Sequence, residues 1–506
     1  MVSSEYVRSA VAVSRGASYL TIQTVITSVA QVLSFAVLAR IITPADVGIL
    51  AILSLITALS QAINGSAFQQ ASMKYIGEYA ESNVSNAVGV FYQTFRVSVV
   101  ISLPVAGFIF MGSGFLARVL LGSLSQAPLF RLLAVDVLVY AGVLPVANGA
   151  VLGARRFKES AEIGTAGAVL RQCLIIVLIL FLKSFIGLVY AWVLSDFAML
   201  AGYGLYALHV LGLRKNPFPT RKLMTFSWPL MIGNLVGFAY SWFDRAILIA
   251  LVPLASLGIY NAALYAFGVL TGITTTFGSV LLPIYSSIGG RGVEACRRAT
   301  WLTSRYLSLF IVPLAFGLFA TAKPALTLFV GWSYVSGALP LMILSLGVAF
   351  TAFAGGLGPM LTALAKTRAQ MLITICSVAV ALISAYALLP SLGIVGAAVA
   401  RVIAAIASLG LTIYVLKRIR VMSIDVEMAW KSLFAGAVMA GAVLAVQLIV
   451  YGRILLPIYI ILGAVVYLIL LRLLNAVRKH DIELVDRYLG SRLAFVTRLL
   501  SLILIQ

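Results

Sequence analysis

Apolar stretches long enough to cross a bilayer recur along the whole chain, and they decide the fold class before any motif is read. A membrane-spanning helix needs about 20 apolar residues. Fourteen such stretches can be marked, beginning at 17–39, passing through 226–250 and 256–279, and ending at 432–450 and 454–474. Hydrocarbon offers no water to backbone N–H and C=O groups, so continuous runs of this length predict helices. The expected fold class is an all-α polytopic membrane protein with about 14 transmembrane helices. Composition agrees, with 62% hydrophobic and 10% charged residues and a mean hydropathy of +1.09. The first run, Ala17–Ala39, is long enough to span and lacks a small-residue cleavage site, so it reads as a span and not a removable leader.

The net charge of +21 invites a nucleic-acid reading, which loop counting removes. With the N-terminus inside, 26 of the 36 lysines and arginines fall in inner segments and 5 in outer loops (Arg40, Arg118, Lys183, Lys323 and Arg453). This asymmetry is the positive-inside pattern of a multi-pass plasma-membrane protein with both termini cytoplasmic. It accounts for the charge without nucleic acid and predicts attraction to anionic membrane lipids at the inner face. Residues 1–16 form an inner-face segment. The tail, 476–506, alternates charge with Leu, Val and Phe, and reads as an amphipathic helix on the inner surface.

Catalytic signatures are missing. There is no GxxxxGK[ST], HExxH or GxSxG motif, and of the 15 acidic residues only Asp46 lies in an outer loop. Two histidines, His209 and His480, argue against a histidine metal site, and no cofactor is implied. Cys173, Cys296 and Cys376 lie far apart and read as packing residues. A transporter is therefore expected, not an enzyme.

One stretch, Trp228 to Ala263, carries the strongest pattern. It reads as an apolar helix, a short turn and the start of a second apolar helix. FAVLARIITPADVGIL at 35–50 resembles FDRAILIALVPLASLGIY at 243–260. Phe35 falls against Phe243, Pro44 against Pro253 and Gly48 against Gly258. An offset near 210 indicates an internal repeat of about half the chain, a common transporter plan. Asp244 and Arg245 are neighbours on a helix and point about 100° apart, so each is expected to find its partner elsewhere. Asn234, Ser241 and Arg245 share one helical stripe, which suggests a wall facing a wet cavity. Thr24, Thr27, Gln31 and Ser34 make a similar stripe on the first span, with Arg15 below it at the inner mouth.

Ionisable residues inside spans carry the functional argument. They are Arg96, Arg131, Asp136, Arg171, Asp196, Asp244, Arg245 and Arg401. A bare charge at the bilayer centre costs about 2.5–3.5 kcal/mol on insertion scales, so each should be paired, hydrated or functional. Five arginines face three aspartates. Three pairs would leave two arginines over, which suits an anionic ligand held by guanidinium forks. Any one pair could equally be an interhelical bridge, and Arg131 could snorkel.

LARIITPADVGIL and DRAILIALVPLASLGIYNAA, with fourteen spans in two similar halves, resemble the Wzx-like polysaccharide-biosynthesis flippases of the multidrug/oligosaccharidyl-lipid/polysaccharide exporter superfamily. The resemblance implies two pseudo-symmetric six-helix bundles, 17–210 and 224–416, around a central cavity. Two further helices at 431–475 would be an appendage. It also implies a monomer acting on a lipid-(pyro)phosphate-linked oligosaccharide, with glycan-assembly enzymes as partners. Cationic cavity residues hold the phosphate in such flippases; Arg15, Arg96, Arg171, Arg245 and Arg401 are the candidates here, with Asn234 and Gln31 toward the sugars. Asp136, Asp196 and Asp244 are the candidates for a coupling ion. A cation-coupled multidrug antiporter on the same fold, or a membrane-embedded glycosyltransferase or polymerase, are the rival readings.

Overall fold

The computed structural model describes residues 2–80, 83–213, 216–289 and 292–476, with side chains from residue 18 onward except 279, 283 and 289. The regular structure of these residues is helical. In chain order the helices are α1 Val2–Ile41, α2 Pro44–Ser60, α3 Ser66–Tyr79, α4 Val84–Met111, α5 Ser113–Leu121 and α6 Ala127–Asp136. They continue with α7 Leu144–Gly153, α8 Phe157–Leu182, α9 Ile186–Leu211, α10 Thr220–Leu251, α11 Leu254–Gly289 and α12 Val293–Phe329. The last five are α13 Ala338–Thr351, α14 Leu357–Ala363, α15 Thr367–Arg418, α16 Val426–Ile449 and α17 Leu456–Leu473. The expected tail helix, 476–506, lies outside the described residues beyond Ala476, as does the side chain of Arg15.

Thirteen helical segments are long and apolar enough to cross a membrane. Two of them are composite. α2 and α3 run on through a π-helical turn at Gln61–Gly65, and α6 and α7 through another at Val137–Val143. α15 has 52 residues, about 78 Å at 1.5 Å per residue, more than twice a bilayer core. It is not one continuous helix. Gly393 adopts φ 53° and ψ −128°, three residues after Pro390, and divides it into two parts, each long enough to span.

The chain forms two compact units, Met1–Gly258 and Ile259–Gln506. The core of the first gathers Phe68, Tyr75, Val88, Ala147, Tyr203 and Leu223 from α3, α4, α7, α9 and α10. In the second unit α16 and α17 share one core with α12, through Val312, Phe316, Met439, Tyr459 and Tyr467. Hydrogen bonds from Tyr467 to the Leu309 carbonyl at 3.1 Å and from Gln447 to the Ala320 carbonyl at 2.9 Å fix the contact. The last two helices thus pack into the core of the second unit.

The repeated motif has a local structural reason. Thr43 and Asp46 form a capping box at the start of α2: the Thr43 amide donates to Asp46 Oδ2 at 3.0 Å, and the Asp46 amide donates to Thr43 Oγ1 at 3.3 Å. Pro44 follows at the first helical position, where its missing N–H is not needed. The two motif glycines then meet backbone to backbone. A Cβ on Gly48 would lie 2.1 Å from the Leu254 carbonyl oxygen, and one on Gly258 would lie 1.8 Å from that of Pro44. Each copy of the motif supplies the glycine that admits the other's backbone. Of the three cysteines, only Cys296 is buried, so the packing reading fits that residue alone.

Candidate functional site

The first unit holds a buried charge cluster. Asp136 is the last residue of α6, just before the π-helical turn, and Tyr140 lies within that turn. π turns interrupt the regular hydrogen-bond ladder and are enriched at functional sites. Arg171 comes from α8, and Trp192 and Asp196 from α9. Arg171 Nη1 lies 3.4 Å from Asp196 Oδ1, and its guanidinium stands over the rings of Tyr140 at 5.1 Å and Trp192 at 5.0 Å. Both carboxyl groups are fully buried. Among the described residues no donor hydrogen-bonds to any of their four oxygens.

Two carboxylates against one guanidinium leave one negative charge in a dry interior. A buried charge is tolerated only when paired or neutralised. One proton or one monovalent cation between the carboxyl groups makes the cluster neutral. The geometry is therefore suited to taking up and releasing a single positive charge.

The neighbouring residues Asp244 and Arg245 behave otherwise than expected. They do meet, within α10: Arg245 Nε is 3.9 Å from Asp244 Oδ1, and the Arg245 amide donates to the same oxygen at 2.8 Å. The guanidinium curls along its own helix, donating to the Ser241 carbonyl at 2.9 Å and stacking 3.4 Å from the Trp242 ring centre. A long side chain can reach back along a helix even though the Cβ vectors diverge, which the 100° argument left out. Asp244 is fully buried, and Arg245 is 15% exposed.

Most residues of α10 are exposed or half-buried, with Leu223, Ser227, Phe243, Asp244 and Leu248 buried. Asn234 is half-buried on the same stripe, and its amide nitrogen is buried with no hydrogen-bond partner among the described residues. The first-span stripe is more self-contained. Thr24 and Thr27 return their hydroxyls to the backbone carbonyls of Leu20 and Thr24, Gln31 is exposed, and Ser34 is buried. Arg96 is exposed on α4, and Arg401 is half-buried on α15 in the second unit. Arg131 donates to Ser113 at 3.3 Å. The expected count of three pairs and two spare arginines does not hold, because Asp136 and Asp196 share Arg171.

Two polar clusters were not foreseen. Asn64, in the first π turn, donates to the Ser98 carbonyl at 3.0 Å and to the hydroxyls of Ser98 and Ser102; Ser98 passes a bond on to the Gly142 carbonyl at 2.7 Å. This chain ties the two π turns together through α4. Arg305, one of the 26 cations assigned to inner segments, is 4% exposed on α12. It donates to Asp425 Oδ2 at 2.9 Å and to the Ala476 carbonyl at 2.9 Å, while Asp425 caps α16 through the Met428 amide. Its spacing of seven and eleven from the core residues Val312 and Phe316 was the available sign.

Repeated spanning helices with charge buried at membrane depth have the build of a secondary transporter. Residues 37–338 match the polysaccharide biosynthesis protein family, and the chain belongs to that family. No curated protein sequence matches it. Solved structures share its fold at low identity. The lipid II flippase MurJ in an inward closed conformation superposes with a TM-score of 0.72 at 13% identity, over 89% of this chain and 97% of that one. An inward-facing multidrug-resistance MATE family transporter of the MOP superfamily gives 0.66 at 14%, over 80% and 98%. A mutant of the Vibrio cholerae MATE transporter VcmN gives 0.56 at 15%, over 81% and 98%. The chain is a multi-pass membrane protein with the fold of that superfamily.

Proposed function

We propose that the chain is a flippase that turns a lipid-(pyro)phosphate-linked oligosaccharide from the inner to the outer leaflet, for polysaccharide or glycan assembly. Membership of the polysaccharide biosynthesis family supports the substrate class. The observation that carries the mechanism is Arg245, a membrane-depth cation on the polar-striped α10. Its guanidinium takes the phosphate oxygens, and Asn234 and Gln31 meet the sugars. The halves 17–210 and 224–416 alternate access, with both termini cytoplasmic. Asp136 and Asp196, held by Arg171, take up the coupling ion.

The test is reconstitution into vesicles carrying a lipid-pyrophosphate-linked oligosaccharide, reading the fraction that becomes accessible to an impermeant reagent. A charge-assisted bond is worth about 1.5–3 kcal/mol, so Arg245→Ala should slow translocation roughly 10- to 100-fold. Wild-type translocation by a folded Arg245→Ala protein would overturn the assignment of that residue. The buried carboxyl pair favours a second reading, a cation-coupled multidrug antiporter. That reading requires wild-type protein to export cationic dyes and Asp136→Asn, not Arg245→Ala, to abolish the export.

A further inference from the structure

The end of the first unit where α3 stops and α10 starts has a feature outside the groups assigned above to translocation. An open recess of about 570 Å³ is lined by Tyr75, Pro219, Arg221, Lys222, Thr225 and Phe226. That volume is in the range of pockets for small ligands, about 300–1,000 Å³. Its frame is held from several sides. The Asn216 amide donates to the Ser85 carbonyl at 2.9 Å, Gln93 donates to the Thr220 hydroxyl at 2.6 Å, and Tyr75 donates to the Lys222 carbonyl at 3.3 Å.

Its charge is unusual for a helix start. Arg221 and Lys222 occupy the first turn of α10, which contains no acidic residue, and Pro219 provides no side-chain cap. The first turn is where the helix dipole disfavours cations and favours an anion. Lys74 adds a third cation, 4.5 Å from the Tyr75 ring centre and 4.4 Å from that of Phe226. Lys222 donates to Tyr79 Oη at 3.1 Å and stands over the rings of Tyr75, Tyr79 and Phe218 at 5.0, 5.5 and 5.7 Å. One carboxylate, Glu78, lies 4.0 Å from Lys222, so three cations face one anion. A recess with two positive charges to spare, an uncapped helix start and a wall of aromatic rings fits a phosphate at a membrane surface. The distribution of lysine and arginine puts this end at the inner leaflet.

We propose that this recess seats the phosphodiester of an anionic phospholipid of the inner leaflet. The phosphate meets Arg221, Lys222 and the first amides of α10. The glycerol lies against Tyr75 and Phe226, and the acyl chains run down beside α10. The seat proposed is for a membrane lipid and not for the cargo.

The test counts lipids retained by the full-length protein in native mass spectrometry, titrating phosphatidylglycerol, phosphatidylcholine and inorganic pyrophosphate separately. Phosphatidylglycerol should be retained in preference to phosphatidylcholine. The double variant Arg221→Gln/Lys222→Gln should weaken that binding by about 10-fold or more. Thr225→Leu fills the recess without changing charge and should also weaken it, whereas Arg298→Gln, an exposed cation on α12, should not. All four side chains are exposed, so unfolding temperatures should stay at the wild-type value. Unchanged binding in the double variant or in Thr225→Leu, or an equal loss in Arg298→Gln, would overturn the seat. Pyrophosphate binding as tightly as phosphatidylglycerol would overturn the lipid as its occupant.

Discussion

Replacing Arg171 with glutamine isolates the charge arithmetic of the buried cluster. In the wild type, Asp136 and Asp196 present two carboxyl groups to one guanidinium, 3.4 Å from Asp196. Arg171→Gln leaves both carboxyl groups buried with no counter-charge. Removing one partner of a buried pair costs about 3–5 kcal/mol. At about 2 °C or more per kcal/mol for a unit of this size, the unfolding temperature should fall by about 6 °C or more. Asp136→Asn runs the other way: it removes the surplus charge and leaves one aspartate with one arginine. That variant should be as stable as the wild type or more so, although its alteration is the more deeply buried. The assay is thermal unfolding of purified protein in detergent, with sodium or choline as the cation at fixed ionic strength, and again after mild acidification. A cation bound only by the folded protein stabilises it. The wild type should therefore gain stability from sodium or from acid, and Asp136→Asn from neither. An Arg171→Gln protein as stable as wild type, or an Asp136→Asn protein that keeps the full cation response, would refute the reasoning.

Two further outcomes follow from packing. Asp425→Ala strips the cap from α16 and leaves the Arg305 guanidinium short of its carboxylate in a buried site, so unfolding in the second unit should become easier by about 3–5 kcal/mol, measured by thermal melts. Gly258→Leu places a side chain where the Pro44 carbonyl lies, so it should destabilise the protein by about 1–3 kcal/mol or more, while Gly233→Leu, in open space on α10, should do little in the same melt.

Hydropathy made the spans legible because the bilayer sets one length for all of them. Even the division of α15 near Pro390 and Gly393 could be read from the sequence. Helix ends could not, because α11 and α12 continue past the apolar zone into water, where polar residues propagate a helix as well as apolar ones do. The repeat was visible in Pro44, Gly48, Pro253 and Gly258, and its glycines prove to be a mutual backbone contact. The buried charged residues of the spans could be picked out from the sequence, but their pairing could not. Asp136, Arg171 and Asp196 lie on three helices, and nothing in their spacing says that two carboxylates share one arginine. The π turns were invisible because an extra residue in one turn leaves the hydropathy of the run unchanged. Arg305 was misplaced because its position near a span end looked like a loop, whereas it is buried on the core face of α12.

The contact from Arg305 to the carbonyl of Ala476 bears on how the protein can be shortened. That oxygen belongs to the main chain, so no side-chain replacement at 476 removes it, and only deletion of the residue does. A cut that takes Ala476 itself withdraws an acceptor from a guanidinium sealed inside the protein, so the shortest well-behaved version of the chain should end no earlier than that residue.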